Sequence, residues 1–208
     1  ANQLKGGGGN DSFIGGAGAN VADYSAAGAI TVNLTTGAVT GSGNDTLSSI
    51  DHVIGGASGD TFTGSAGAET LDGGSGADSF VGSAGNDSLI GGLGTDTIDY
   101  SGAGGALNVN LTTGAVTGSG NDTLSGFDHV IGGAGNDTFN GSTATGDIFV
   151  NSREGDDTLT GGAGSDTLKG FDGADILYGG AGADNLKGQD DADTIYAGAG
   201  DTVDGGTG

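Results

Sequence analysis

Large apolar residues recur every nine positions over much of the chain, and each follows an acidic residue by two positions. Glycine-rich and polar stretches separate them, so six turn-forming residues alternate with three residues that suit a short strand. A chain that reverses every nine residues returns to the same side every eighteen, which predicts a flattened solenoid with two sheets of stacked strands. The residues expected to point inward form two runs: Phe62, Leu71, Phe80, Leu89 and Ile98, then Leu159, Leu168, Leu177, Leu186 and Ile195.

The repeating unit is GGxGxDxUx, in which U is a large apolar residue. It is matched at every fixed position by six segments, which begin at Gly6, Gly73, Gly91, Gly132, Gly161 and Gly179. Degenerate copies begin at Gly55, Gly64, Gly82, Gly170 and Gly188. Because the copies keep their register along the chain, we expect residues 1–208 to form a single repeat array, all-β in class.

Two segments, 26–54 and 102–131, interrupt this rhythm as parts of a longer internal duplication. The stretch NLTTGAVTGSGNDTLS occupies residues 33–48 and recurs unchanged at residues 110–125. The segments ITVNLTTGAVT and LNVNLTTGAVT each contain the turn sequence TTG. Apolar and polar residues alternate on both sides of that turn. Each interruption is therefore predicted to contain a strand, a tight turn and a second strand.

The composition argues against an ordinary globular core. The chain has 51 Gly and no Pro, Cys, Met or Trp, and its net charge is -23. Ordering so much glycine is entropically costly and the charge adds self-repulsion, so the metal-free chain is expected to be close to unfolded. The excess of acidic residues excludes nucleic acid as a partner and favours multivalent cations. No apolar run is long enough for a transmembrane segment, and we expect the chain to be part of a longer protein.

The acidic residues follow the same period and are predicted to stack in columns, since loops eighteen residues apart lie over each other. Stacked carboxylates repel one another unless a hard cation lies between them, and oxygen-only donors favour Ca²⁺ over zinc or copper. Counting neighbours eighteen residues apart predicts at least about six ions. The predicted columns are Asp60, Asp78 and Asp96; Glu69 and Asp87; Asp157, Asp175 and Asp193; and Asp166 and Asp184.

This run of nonapeptides resembles the RTX, or hemolysin-type calcium-binding, repeat family. The resemblance implies a right-handed parallel β-roll, export by a type I secretion machine, and folding triggered by external Ca²⁺. It also implies shared ligation, in which an ion takes the Asp and the second and fourth carbonyls of one loop. The Asp and the first and third carbonyls of the loop eighteen residues later complete the set.

Applied to this chain, the resemblance implies three explicit ligand sets. Asp60 and Asp78 would be joined by the carbonyls of Gly56, Ser58, Gly73 and Ser75. Asp78 and Asp96 would be joined by those of Gly74, Gly76, Gly91 and Leu93, and Asp166 and Asp184 by those of Gly162, Gly164, Gly179 and Ala181. Asp11 and Asp137 end matching loops and are included as ligands.

These observations predict a structural role and no enzymatic activity. A catalytic carboxylate pair is disfavoured because the same pair recurs along the chain, and disorder does not require an apolar residue two positions after each Asp. We expect a Ca²⁺-binding region of a large secreted or bacterial cell-surface protein of adhesin, surface-layer or matrix type. Other cell-surface proteins and polysaccharide are candidate partners. The alternative is the secretion and folding module of an extracellular protease, lipase or polysaccharide-modifying enzyme.

Overall fold

The computed structural model describes residues 1–208 and contains 24 strands. No helix of the structure could span a membrane. The first twelve strands are β1 (Gln3–Leu4), β2 (Ser12–Ile14), β3 (Val21–Asp23), β4 (Thr31–Asn33), β5 (Ala38–Thr40), β6 (Asn44–Ser48), β7 (His52–Ile54), β8 (Thr61–Thr63), β9 (Thr70–Ser75), β10 (Ser79–Val81), β11 (Ser88–Leu93) and β12 (Thr97–Asp99). The others are β13 (Asn108–Asn110), β14 (Ala115–Thr117), β15 (Asn121–Ser125), β16 (His129–Ile131), β17 (Thr138–Asn140), β18 (Phe149–Glu154), β19 (Thr158–Thr160), β20 (Thr167–Asp172), β21 (Ile176–Tyr178), β22 (Asn185–Asp190), β23 (Thr194–Tyr196) and β24 (Thr202–Asp204).

The chain divides into two compact units. Unit 1 comprises Ala1–Ile98 and Asp122–Phe127. Its strands lie in two sheets, in the orders β1-β3-β7-β9-β11-β15 and β2-β6-β5-β4-β8-β10-β12. Unit 2 comprises Asp99–Asn121 and Asp128–Gly208, and its strands also lie in two sheets, in the orders β14-β13-β17-β19-β21-β23 and β16-β18-β20-β22-β24. Consecutive repeats alternate between the two sheets, which confirms the predicted all-β roll.

Most strand pairs are parallel, and where the repeats are unbroken, as in β8 with β10 and β20 with β22, the paired strands are eighteen residues apart, as the period predicts. Leu89 of β11 lies beside Leu71 of β9, and Phe80 of β10 lies beside Phe62 of β8. The Phe62 and Phe80 rings stack with their centroids 4.8 Å apart. A single inward side chain per strand therefore makes a thin core of continuous apolar columns.

Nine of the ten residues predicted to point inward are buried. The exception is Ile195, which is partly exposed. It lies in β23, an edge strand that pairs only with β21, so the adjacent strand that would cover its other side is missing. The buried residues are Phe62, Leu71, Phe80, Leu89, Ile98, Leu159, Leu168, Leu177 and Leu186.

Both predicted hairpins are present. β4 pairs antiparallel with β5, and β13 pairs antiparallel with β14. In the first turn, the amide of Thr36 donates to Oδ1 of Asn33 at 2.9 Å and Gly37 adopts a φ of 71°. An Asx hydrogen bond followed by a left-handed glycine closes the turn, which explains the TTG signal.

The sequence pattern did not predict the strand that follows each hairpin. In unit 1, β6 pairs antiparallel with β5 and parallel with β2, so Leu47 lies beside Phe13. β15 occupies a similar place and brings Leu124 beside Leu89. The stretch NDTLS therefore returns the chain to the repeat register, with an Asp two residues before a buried Leu.

Candidate calcium-binding loops

The acidic residues stack in unit 1 through main-chain hydrogen bonds. Oδ1 of Asp78 accepts from the amide of Asp60 at 2.6 Å, and Oδ1 of Asp96 accepts from the amide of Asp78 at 2.8 Å. In a second column, Oδ1 of Asp87 accepts from the amide of Glu69 at 3.0 Å. Each carboxylate thus joins its own loop to the loop eighteen residues earlier, and we call such a column a carboxylate ladder.

Unit 2 contains two ladders of the same kind. Oδ1 of Asp175 accepts from the amide of Asp157 at 2.8 Å, and Oδ1 of Asp193 accepts from the amide of Asp175 at 3.0 Å. In the other ladder, Oδ1 of Asp184 accepts from the amide of Asp166 at 2.9 Å. The stacking that the period predicts is therefore present in both units.

The second carboxylate oxygens fall into two groups. Oδ2 of Asp60 accepts from the amide of Gly56 at 2.7 Å, and Oδ2 of Asp166 accepts from that of Gly162 at 2.6 Å. A second group of Oδ2 atoms is buried without a hydrogen-bond partner in the protein. Its members include Asp11, Asp78, Asp175, Asp184 and Asp193. A buried carboxylate oxygen left without a donor is costly, so these atoms require a cation or a proton.

The first glycine of each loop makes room for this oxygen. A Cβ added to Gly73 would overlap Oδ2 of Asp78 and would lie 2.7 Å from the carbonyl oxygen of Gly91. At Gly170, a Cβ would overlap Oδ2 of Asp175 and would lie 2.9 Å from the carbonyl oxygen of Gly188. A carboxylate oxygen of one loop and a carbonyl oxygen of the next therefore converge on one point, which only glycine leaves open.

Burial raises the pKa of several ladder carboxyls. Burial, reinforced by the charges of Asp60 and Asp96, raises the pKa of Asp78 to about 6. Burial and the charges of neighbouring aspartates raise the pKa of Asp175 to about 7. The pKa is raised, again chiefly by burial, in a further set of ladder residues: Asp60, Glu69, Asp137, Asp157 and Asp184. Ionised ladders without counter-ions are consequently destabilised at neutral pH.

The chemistry of these loops fits Ca²⁺. The donors are carboxylate and carbonyl oxygens, which hard cations prefer. The structure contains no group of three or more His, Asp or Glu side chains that could hold a metal, so main-chain carbonyls would have to complete any coordination shell. Buried carboxylate oxygens without donors, next to a space that a Cβ would fill, are suited to such an ion.

The structure brings part of each sequence-derived ligand set together. A Cβ added to Gly55 would crowd both the carbonyl oxygen of Gly73 and Oδ2 of Asp60. A Cβ added to Gly161 would likewise crowd the carbonyl oxygen of Gly179 and Oδ2 of Asp166. The remaining carbonyls lie in the stacked loops 55–60, 73–78, 91–96, 161–166 and 179–184. Some of them link loops through hydrogen bonds: the carbonyls of Gly56, Leu93 and Gly162 accept from the amides of Ser75, Gly76 and Ala181 respectively. A carbonyl has two lone pairs, so one hydrogen bond leaves capacity for a cation.

Two acidic residues depart from the simple pattern. Asp137 stacks on Asp157 across twenty residues, with its amide 2.7 Å from Oδ1 of Asp157. Glu69 bonds within its own loop, where Oε1 accepts from the Ser65 hydroxyl and Oε2 from the Ser65 amide. Both carboxylate oxygens of Glu69 therefore have protein donors.

Sequence reasoning missed three ladder residues. Oδ1 of Asp45 accepts from the amide of Asp11 at 2.9 Å, and Oδ1 of Asp122 accepts from the amide of Asp87 at 3.0 Å. Oδ1 of Asp201 accepts from the amide of Asp184 at 3.0 Å, across seventeen residues. Asp45 and Asp122 carry the signal that identifies them, since each precedes a buried Leu by two residues in GNDTL.

Stacked glycine-rich loops, carboxylate ladders and alternating short strands define a parallel β-roll of the calcium-binding type. The family model for the RTX calcium-binding nonapeptide repeat matches residues 1–24, 47–80, 72–103, 116–143, 152–186 and 178–208, well over half of the chain. The chain belongs to this family, and it is a Ca²⁺-binding repeat region. No curated protein matches it.

Proposed function

We propose that this chain is a Ca²⁺-responsive structural segment of a large secreted or cell-surface RTX protein of adhesin, surface-layer or matrix type. The observation that carries the proposal is the set of buried Oδ2 atoms without protein donors, such as those of Asp78 and Asp175. Each lies where a cation between successive loops would compensate it. Folding is then coupled to ion binding, because the extended chain has no preformed site.

The proposed ligands are those of the stacked loops. Asp78 and Asp96 hold one ion with the carbonyls of Gly74, Gly76, Gly91 and Leu93. The other proposed carboxylate ligands are Asp11, Asp60, Glu69, Asp87, Asp137, Asp157, Asp166, Asp175, Asp184 and Asp193. When bound, Ca²⁺ supplies positive charge between like-charged loops, and at least about six ions would reduce the net charge of -23 by roughly half.

The internal duplication supports a scaffold. Residues 33–48 and 110–125 are identical, and each precedes a further run of repeats. Copying such a unit lengthens the array without creating a new kind of site. Extracellular Ca²⁺ modules typically bind at about 10⁻⁴ to 10⁻³ M, so the segment would stay unfolded in a cytosol and fold after export. The single-array organisation over residues 1–208 belongs to the same proposal.

Circular dichroism with Ca²⁺ and with excess chelator tests the proposal. We expect β-structure to appear cooperatively as Ca²⁺ rises to millimolar concentration, and Mg²⁺ at the same concentration to be much less effective. Equal β-structure in excess chelator at neutral pH would refute coupled folding. Sequence beyond this segment separates the scaffold from the alternative of an enzyme's export module, because a hydrolase motif there would favour the latter.

A further inference from the structure

Three loops of unit 2 carry a large side chain where other loops carry glycine. Arg153, Phe171 and Gln189 adopt φ values of 81°, 81° and 86°, in the left-handed region. The residues at the same loop position in other repeats, Gly74 and Gly180, have φ values of 91° and 102°. A non-glycine residue held in such a conformation is strained. Glycine would avoid that strain, so these side chains and their surroundings are candidates for a further role.

Two of the three side chains line a cavity. Strand pairing places Arg153 of β18 beside Phe171 of β20. Together with Asn151, Glu154 and Asp172 they line a depression of about 310 Å³ that is open to solvent. This volume lies at the lower end of the range for small-molecule sites. Gln189 is stacked next in the same column but does not line the cavity.

The cavity contains unused hydrogen-bonding capacity. Arg153, Glu154 and Asp172 are exposed, so their polar groups are accessible to a ligand. Lys169 pairs with Asn151 on the adjacent strand but does not line the cavity. Its Nζ lies 4.8 Å from the centre of the Phe149 ring.

This combination selects the chemical class of the ligand. Glu154 and Asp172 offer acceptors, Arg153 offers donors in a planar fork, and Phe171 offers an apolar ring. An anionic ligand would meet two carboxylates on a chain of net charge -23, and a cationic ligand would meet the guanidinium. A neutral polyol uses both donors and acceptors and can lay its C–H face on the ring. We propose that this cavity binds a neutral sugar unit.

The matched experiment replaces the strained residues with the glycine found in other loops. Wild-type chain, the double variant R153G/F171G and the control Q189G are prepared with saturating Ca²⁺. Amide chemical shifts are then followed by NMR during titration with glucose, galactose, mannose and N-acetylglucosamine, each up to about 10 mM, which covers weak single-site binding.

We expect at least one sugar to shift the amides of Asn151, Glu154 and Asp172 in the wild-type chain. In R153G/F171G the affinity should fall at least about tenfold, a change of about 1.4 kcal/mol, whereas Q189G should stay within about twofold. Glycine accepts the left-handed conformation without strain, so all variants should keep the wild-type dispersion of amide shifts in Ca²⁺. A variant that keeps this dispersion and loses sugar binding has lost the site and not the fold.

Three outcomes would overturn the inference: no sugar shifts these amides, R153G/F171G binds sugars as well as wild type, or a charged probe such as glucuronate or glucosamine binds more tightly than every neutral sugar. The result is also separable from the proposed function. A chain that folds with Ca²⁺ but ignores sugars refutes only the cavity assignment, whereas failure of Ca²⁺-dependent folding appears in the dichroism alone.

Discussion

The hydroxyl of Tyr24 donates a hydrogen bond to Oδ2 of Asp45, with the two oxygens 3.0 Å apart. Both residues are buried, and Oδ1 of Asp45 accepts the amide of Asp11 as a ladder residue does. Burial and the neighbouring carboxylate raise the pKa of Tyr24 beyond its usual range, so its proton stays in place. At this step of the ladder a neutral hydroxyl serves the oxygen that lacks a donor in Asp78 and Asp175.

Replacing Tyr24 with Phe should therefore destabilise unit 1 even when Ca²⁺ is saturating. The change leaves a buried carboxylate oxygen without its donor, which costs about 1–3 kcal/mol. Urea unfolding in Ca²⁺ measures the loss as a lower midpoint. Tyr178→Phe is the matched control, because Tyr178 is 38% exposed and the loss of its hydroxyl should change the midpoint little. Equal midpoints for Tyr24→Phe and wild type would contradict this account of Asp45.

Asp175→Asn should weaken two neighbouring steps of one ladder. The carboxylate of Asp175 accepts from the amide of Asp157, and the amide of Asp175 donates to the carboxylate of Asp193. Asp175 therefore lies between two steps of the ladder, and its carboxylate is a proposed ligand of the ion at each step. Bound Ca²⁺ per chain, measured by atomic emission after equilibrium dialysis, should fall by about two, and folding should need several-fold more Ca²⁺. Asp204→Asn, at an exposed residue outside the ladders, should leave both values unchanged. Unchanged stoichiometry in Asp175→Asn would argue against the proposed ligands.

Gly73→Ala should prevent the loop from closing around its ion. The added Cβ would overlap Oδ2 of Asp78 and crowd the carbonyl of Gly91. Overpacking of this kind costs about 1–3 kcal/mol, and we expect a higher Ca²⁺ midpoint for folding by dichroism. Gly28→Ala provides the control in the same unit, since a Cβ there meets nothing within 4 Å. A Gly73→Ala midpoint equal to that of the control would show that the loop is looser than described.

Acid should stabilise the metal-free chain and weaken Ca²⁺ binding. The pKa values of Asp78 and Asp175 are raised to about 6 and about 7, above about 3.9 in an unfolded chain. The folded state therefore binds more protons, so stability present below about pH 4 is lost as pH rises through 6 to 7. In chelator, β-structure should be greater at pH 5.5 than at pH 8, while apparent Ca²⁺ affinity should be lower.

Reduced self-repulsion at low pH acts in the same direction, so the pH experiment needs its own control. The double variant Asp78→Asn with Asp175→Asn removes two of the titrating groups that drive the effect. Its β-structure in chelator should depend less on pH than that of wild type. A pH dependence as steep as that of wild type would assign the effect to overall charge instead.

The sequence alone determined the period, the two sheets, the inward residues and both hairpins. These features follow from local rules: side chains alternate along a strand, glycine permits the turns, and uninterrupted nine-residue units can stack in only one register. The same regularity placed Asp78 next to Asp60 and Asp96, because their spacing is constant. The acidic columns within unbroken repeats could therefore be predicted from the constant spacing of the acidic residues along the chain.

Only the tertiary structure decided how the chain is arranged where the nine-residue spacing is interrupted. Asp45 and Asp122 join the ladders across 34 and 35 residues, because an unpredicted third strand returns the chain to register. The tertiary structure also decided which carboxylate oxygens find a donor, as Asp60 does and Asp78 does not. These outcomes depend on contacts between loops, and sequence spacing does not encode the path that brings distant loops together.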